Sequence, residues 1–360
     1  MTNQASRIKS MGNLDSIRVD DGTLTIEGWA ASQGAGPATG LHATVSGKTC
    51  RLIEQLLQLP SPDVRAVFPA LDDSDRCRFL LRVTLPEDLP IPVRDLLLAV
   101  EPSFAQGRGN SCWHMVAPSL PDPPRAFMTL IGDAILFREG ALEFRDHFVT
   151  RGGLKPTDNV LDVGCGVGRM TYGLVNYLES PARYEGFDIV PDLITWAQRE
   201  ISSRYPNFRF RQAPIYNSFY NPTGHLNPIE FIFPYQDASF EFIILTSVFT
   251  HMSGDAIQHY IREIRRVLKP GGRGLITCFL LNIESISLIH SGKSGRDLSH
   301  SHGDGMVAAP GNPDAAVGFE EDLIKGWLEK VGLAVVDTLY GNWCGRGDYV
   351  SYQDMLIVQG

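Results

Sequence analysis

Between residues 15 and about 116, apolar and polar positions alternate with a period of two. Leu24, Ile26, Gly28 and Ala30 alternate with Thr25, Glu27 and Trp29. Leu41, Ala43 and Val45 alternate with His42 and Thr44, and Leu81, Val83 and Leu85 with Arg82 and Thr84. Successive side chains of a strand point to opposite faces, so each run predicts a strand with one buried and one wet face. Gly- and Pro-bearing stretches at 33–40, 59–63 and 86–92 separate the runs, and no long helical period competes. A small β-sandwich over 15–116 is predicted, preceded by a flexible terminus, 1–14. Residues 117–125 read APSLPDPPR; four prolines in so short a span predict a stiff, extended linker and a domain boundary.

From Ala126 the period changes. An amphipathic stretch, 127–147, is followed by alternating strand and helix patterns, which predict a parallel sheet flanked by helices over 126–360. Strands are expected at 160–163, 184–189, 208–211, 240–246, 274–280, 333–338 and 354–358. Helices are expected from the glycines after 163 to about 179, and over 192–204, 255–268 and 319–331. In 255–268, Ile257, Ile261, Ile264 and Leu268 share one face.

Composition narrows the function. Hydrophobic residues make up 43% of the 360 and charged residues 20%, and the formal net charge is −9. No uniformly basic footprint exists, so nucleic acid is not the expected partner. No run of 18 apolar residues predicts a membrane span, and residues 1–14 lack an apolar signal core. The six cysteines form no CxxC pair; their scatter suits reduced thiols in a cytoplasm.

The candidate chemistry begins at 160–169, VLDVGCGVGR. A strand ends at Asp162–Val163, and Gly164, Gly166 and Gly168 open the next helix. Glycines there are expected to let backbone approach a ligand closely, and a helix N-terminus offers free N–H groups. Asp188, in YEGFDIV, ends the next strand 188 − 168 = 20 residues after the last glycine. That is about the spacing at which a doubly wound fold presents an acid to ribose hydroxyls. A dinucleotide fingerprint would require a third glycine at position 169, where Arg169 stands. Asp162 would meet a pyrophosphate badly but would serve a cationic donor, or cap the glycine turn. The charge logic favours a sulfonium amino acid over a nicotinamide dinucleotide.

VLDVGCGVGR, YEGFDIV, FPYQDASFEFIILTSVFTHM and RVLKPGG, in that order, resemble the successive motifs of class I S-adenosylmethionine-dependent methyltransferases. The resemblance covers 126–360 and implies a Rossmann-like, seven-stranded α/β sheet whose last strand runs antiparallel, with S-adenosyl-L-methionine as cofactor. It implies that Gly164, Gly166 and Gly168 line the methionine end and that Asp188 binds the ribose; Asp162, Cys165 and Ile189 are further candidate cofactor contacts. Thr246 and Ser247 fall among the implied donor contacts. Many members carry an acid near the adenine after the third strand; here the segment reads RQAPIYNSF, and Asn217 is the candidate substitute. NSFYNPTG and SVFTHM resemble a bacterial subgroup often found beside glycan or lipopolysaccharide biosynthesis. The acceptor expected from that subgroup is a hydroxyl of a small molecule, saccharide or glycolipid.

Other side chains admit two readings each. His251, after the fourth strand, is a candidate general base or a hydrogen-bonded structural histidine. Thr250 is a candidate contact to donor or substrate. Trp343 and Arg346 are candidates to shape the acceptor pocket, or a packed tryptophan and a solvated arginine. His290, His300, His302 and Asp304 lie in a Gly/Ser-rich stretch expected to be a mobile loop rather than a metal site. Lys269–Gly272 is expected to be a turn ending a helix. A silent binding protein on the same fold, and an NAD-dependent oxidoreductase, are the rival functional classes.

Overall fold

In a computed structural model, the alternating runs of the N-terminal part pair as antiparallel strands. The structure describes residues 8–20, 22–86, 96–116, 120–131 and 137–360. Parts of three predicted segments lie outside these: 1–7 of the terminus, 87–92 of a turn cluster and 117–119 of the linker, together with 132–136 of the amphipathic stretch. Contacts divide the chain into one unit built from residues up to 121 together with 138–143, and another from 122–137 and 144–360.

In the first unit, strands Ser10–Asp20, Thr23–Ser32, Arg78–Thr84 and Arg51–Leu59 form one sheet in that order. A second sheet contains Lys48–Thr49, Gly40–Val45, Leu96–Phe104 and Gly107–Arg108, with Cys112–Val116 also pairing Leu96–Phe104. Leu24, Ile26, Leu81 and Val83 from one sheet share a core with Ala43, Val45, Leu98 and Val100 from the other. The flexible terminus predicted for 1–14 is corrected at its end. Ser10 pairs with Ser32, Leu14 is buried, and Ser10 Oγ accepts the Asn110 N–H at 2.7 Å. Trp29, placed on the wet face by its period, is buried against Phe68 and Val64. The segment with helix Pro62–Val67 covers that face.

In the second unit, seven strands form one sheet: β1 (Val160–Val163), β2 (Tyr184–Asp188), β3 (Phe208–Gln212), β4 (Phe240–Leu245), β5 (Leu268–Cys278), β6 (Ala334–Leu339) and β7 (Asp354–Gln359). Their order is β3-β2-β1-β4-β5-β7-β6. The first five run parallel to one another, and β7 lies antiparallel between β5 and β6. Strands β1, β4 and β7 are almost wholly buried, as their near-continuous apolar runs require of a sheet covered on both faces. Helix Gly254–Val267 packs Ile257, Ile261, Ile264 and Val267 into the core beside Ile324 and Leu328 of helix Glu321–Lys330. Its N-terminal Ser253 caps the Ala256 N–H. The order reverses between β1 and β4, and the crevice outside their carboxyl ends is where this architecture binds ligands.

Four local predictions change. A helix, Arg125–Leu130, starts inside the linker, because no proline follows Pro124. The helix expected after the glycines shrinks to Thr171–Leu174 and turns. The stretch expected as a loop begins inside helix Ile283–His290, capped reciprocally by Asn282 and Ser285, and continues into a hairpin of His300–His302 and Gly305–Val307. Lys269–Gly272 belongs to β5 rather than to a helix-ending turn, since Gly271 N–H donates to Gly360 O and Gly360 N–H to Gly272 O. Among the described residues no helix is long and apolar enough to cross a membrane.

Candidate functional site

The chain leaves β1 through Gly164, whose φ of +74° lies in the left-handed region that side chains disfavour. Gly164 N–H and Cys165 N–H both donate to Phe187 O, at 2.9 and 3.0 Å, tying the turn to the end of β2. A Cβ on Gly164 would stand 2.3 Å from Val248 Cγ2, and one on Gly168 would stand 2.8 Å from Ile201 Cδ1. These glycines are therefore demanded by backbone conformation and by the protein's own side chains. Gly166 faces Ile131 in the same way, less tightly.

Asp188 ends β2 with its carboxylate folded onto this turn. Its Oδ2 accepts the Gly166 N–H at 2.8 Å and its Oδ1 the Val190 N–H, across Ile189, at 2.9 Å. Burial raises its pKa, and these N–H donors oppose the rise. A carboxylate has about four acceptor positions, so each oxygen keeps one beyond its backbone bond. Asp162, at the heart of β1, is fully buried. Its Oδ2 accepts the Tyr184 hydroxyl, and its Oδ1 has no hydrogen-bond partner among the described residues. Burial pushes its pKa up to about 7, against the Tyr184 bond and with help from the Asp188 charge.

Beyond β4, Thr246 is buried and Ser247 stands at φ +60°, unusual for a residue with a side chain. Ser247 N–H donates to Thr277 Oγ1 at 2.7 Å, and Ser247 Oγ donates to Gln353 Oε1 at 3.2 Å. Thr250 is buried, and its hydroxyl has no partner among the described residues. His251 follows in a short 3-10 turn. Its Nδ1 lies 2.8 Å from Asp314 O. A carbonyl only accepts, so Nδ1 carries the hydrogen. Burial lowers the imidazole pKa, and the Arg296 charge adds to this while the Asp314 carbonyl opposes it. A neutral ring with its hydrogen on Nδ1 keeps a lone pair on Nε2, which lies 3.5 Å from the Tyr220 hydroxyl.

Three predicted contacts have other roles. Asn217 Oδ1 accepts the N–H groups of Phe219 and Tyr220, at 3.0 and 2.8 Å, and its Nδ2 donates to His251 O. Both oxygen lone pairs are engaged in a local turn, so Asn217 is no adenine acceptor here. Trp343 is fully buried, with Nε1–H donating to Asp354 Oδ2 at 2.7 Å. Arg346, read as a pocket residue or a solvated arginine, is only 2% exposed. It donates to Asp354 Oδ1 at 2.8 Å, to Glu284 Oε2 at 3.0 Å and to Asn282 Oδ1 at 3.1 Å, over the Tyr340 ring. Trp343 and Arg346 thus anchor the segment before β7 instead of lining a pocket. Asp354, Gln353 and Thr277 escaped sequence reading. Their partners lie far away in the chain, and the only local signal was an acid opening the apolar run DMLIV. His300 and His302 sit in an exposed strand, and among the described residues no group of three potential ligands could hold a metal.

Residues 160–272, which contain the glycine turn, Asp188 and the segment after β4, match the family model for a methyltransferase domain. An uncharacterized protein from Haemophilus influenzae is 27% identical over 146 residues, 41% of this chain. The chain spans about half the length, 52%, of that curated relative. Similar solved structures include the PH0226 protein from Pyrococcus horikoshii (16% identity, TM-score 0.44, 66% of this chain and 95% of that one). A SAM-dependent methyltransferase from Aquifex aeolicus gives 16% identity and a TM-score of 0.41 over 66% of this chain and 99% of its own. A third is the Burkholderia thailandensis 1,6-didemethyltoxoflavin-N1-methyltransferase, with bound 1,6-didemethyltoxoflavin and S-adenosylhomocysteine. It gives 18% identity and a TM-score of 0.40 over 67% of this chain and 93% of its own. Residues 160–272 are thus similar to a methyltransferase domain.

Proposed function

We propose that this chain transfers the methyl group of S-adenosyl-L-methionine to a hydroxyl of a small-molecule, saccharide or glycolipid acceptor, in a cytoplasm that keeps its six buried thiols free. Two features fit the donor. The unpartnered Asp162 Oδ1 suits an ammonium, and the half-used oxygens of Asp188 suit a pair of ribose hydroxyls. When bound, the donor supplies a methyl group already activated on a sulfonium. The protein's task is then to hold the acceptor oxygen in line and exclude water, which can be worth about 7–11 kcal/mol of the barrier.

The observation that carries the choice of a hydroxyl is the His251 tautomer. Its Nδ1–H is committed to Asp314 O, burial keeps the ring neutral, and Nε2 is left to take a proton. A base is less useful for an amine or thiolate acceptor. The resemblance of NSFYNPTG and SVFTHM to a glycan-associated subgroup supports a saccharide-bearing acceptor.

The test is transfer of labelled methyl from the donor to cell-envelope glycans and lipids, with product mapping of the methylated atom. The label should be found on oxygen, and His251→Gln should reduce transfer by about a hundredfold or more while leaving S-adenosylhomocysteine binding intact. Label on nitrogen or sulfur, or full activity in His251→Gln, would overturn the reading.

A further inference from the structure

We propose that Gln353 is a positioning residue for the donor site, acting through Ser247 and Thr277. The inference rests on the donor-site reading above and deepens it. The amide oxygen of Gln353 receives two hydroxyls, Ser247 Oγ at 3.2 Å and Thr277 Oγ1 at 2.5 Å. Thr277 Oγ1 in turn accepts the Ser247 N–H. Backbone and side chain of one residue are thus pinned by the same pair of partners, one at the end of β5 and one just before β7.

The pinned residue is the one that needs it. Ser247 holds a φ of +60°, a conformation that a residue with a Cβ keeps only when its surroundings over-determine it. The next residue, Val248, packs so closely on Gly164 that no Cβ would fit there. The clamp therefore sets the chain direction after β4 and, through Val248, the wall against which the glycine turn rests. Gln353 is itself held. The adjacent Asp354 is fully buried and receives Arg346, Trp343, and the N–H groups of Leu280 and Gly341. A rigid chain of contacts runs from the β7 anchor to the donor turn, and it explains why a buried ion pair sits where a substrate contact was expected.

Calorimetry with S-adenosylhomocysteine on the full chain tests this as a double-mutant cycle. Gln353→Leu is expected to weaken binding tenfold or more. Thr277→Val should do the same, and Thr277→Ser, which restores the hydroxyl, should return binding to within threefold of wild type. Glycine adopts positive φ freely, so in a Ser247→Gly background Gln353→Leu should cost less than threefold. A purely structural role would lower the melting temperature without this dependence on residue 247. Equal losses in both backgrounds, or wild-type binding by Gln353→Leu, overturn the clamp. Should Thr277→Val fail to fold, the Gln353→Leu and Thr277→Ser arms decide alone. If the wild-type protein itself binds no S-adenosylhomocysteine, the donor-site reading falls first, and the clamp with it.

Discussion

Binding of S-adenosylhomocysteine should depend on pH through Asp162. Burial holds Asp162 at a pKa of about 7, and its Oδ1 has no partner among the described residues. A ligand ammonium placed beside it favours the carboxylate, so binding draws the proton off. At pH 8 about a tenth of the sites are protonated before binding, and at pH 6 about nine tenths, so apparent affinity should fall roughly tenfold, or about 1.4 kcal/mol, between them. Titration calorimetry at pH 6, 7 and 8, in buffers of different ionisation enthalpy, reads both the affinity and the proton released, about half a proton at pH 7. Burial holds the His251 imidazole below its usual range, which keeps its lone pair free at the upper end of this window. Asp162→Asn should bind more weakly at pH 8 and lose the pH dependence. The folded pKa is raised, so the protein is favoured below the ordinary carboxylate pKa and loses that advantage as pH climbs through about 7. Asp162→Asn should therefore raise the melting temperature of the unliganded protein more at pH 8 than at pH 6. A flat affinity profile, or a slope that survives in Asp162→Asn, would refute the pairing of this carboxylate with the ligand.

Other perturbations test separate links. Gly164→Ala forces a Cβ into a φ of +74° and onto Val248 Cγ2; it should destabilise by about 2 kcal/mol or more in urea unfolding. Adding Val248→Ala should recover the steric share and leave the conformational one. Arg346→Met strands the buried Asp354 carboxylate; three N–H donors remain to it, so the loss should sit at the low end of the usual range, about 3 kcal/mol, read as a lower urea midpoint with unchanged slope. His251→Gln should reduce methyl transfer to a hydroxyl acceptor by about a hundredfold or more while donor-product affinity stays within twofold.

The legible parts of this molecule were those whose physics is local. Strand β1, the turn at Gly164 and Asp188 at the end of β2 could be placed because a strand period, three glycines and an acid stand within thirty residues. Helix Gly254–Val267 was legible for the same reason, since its apolar stripe repeats every three or four residues. Where reading failed, the deciding partner was distant. Trp29 is covered by a segment more than thirty residues on, and Arg346 is buried because Glu284 and Asp354 converge on it from both sides in sequence. Exposure was the default assigned to arginine, and only the fold supplies the carboxylates that make burial tolerable. The glycine turn shows a subtler case: sequence placed it, and the fold adds a packing reason that no local pattern shows. Sequence offers a ligand as the cause of a missing side chain, yet at Gly164 the space belongs to Val248, which Ser247 delivers from the neighbouring strand. On the proposed donor site the cradle is a property of two strand ends rather than of one motif, and changes after β4 should alter donor binding as strongly as changes in the glycines themselves.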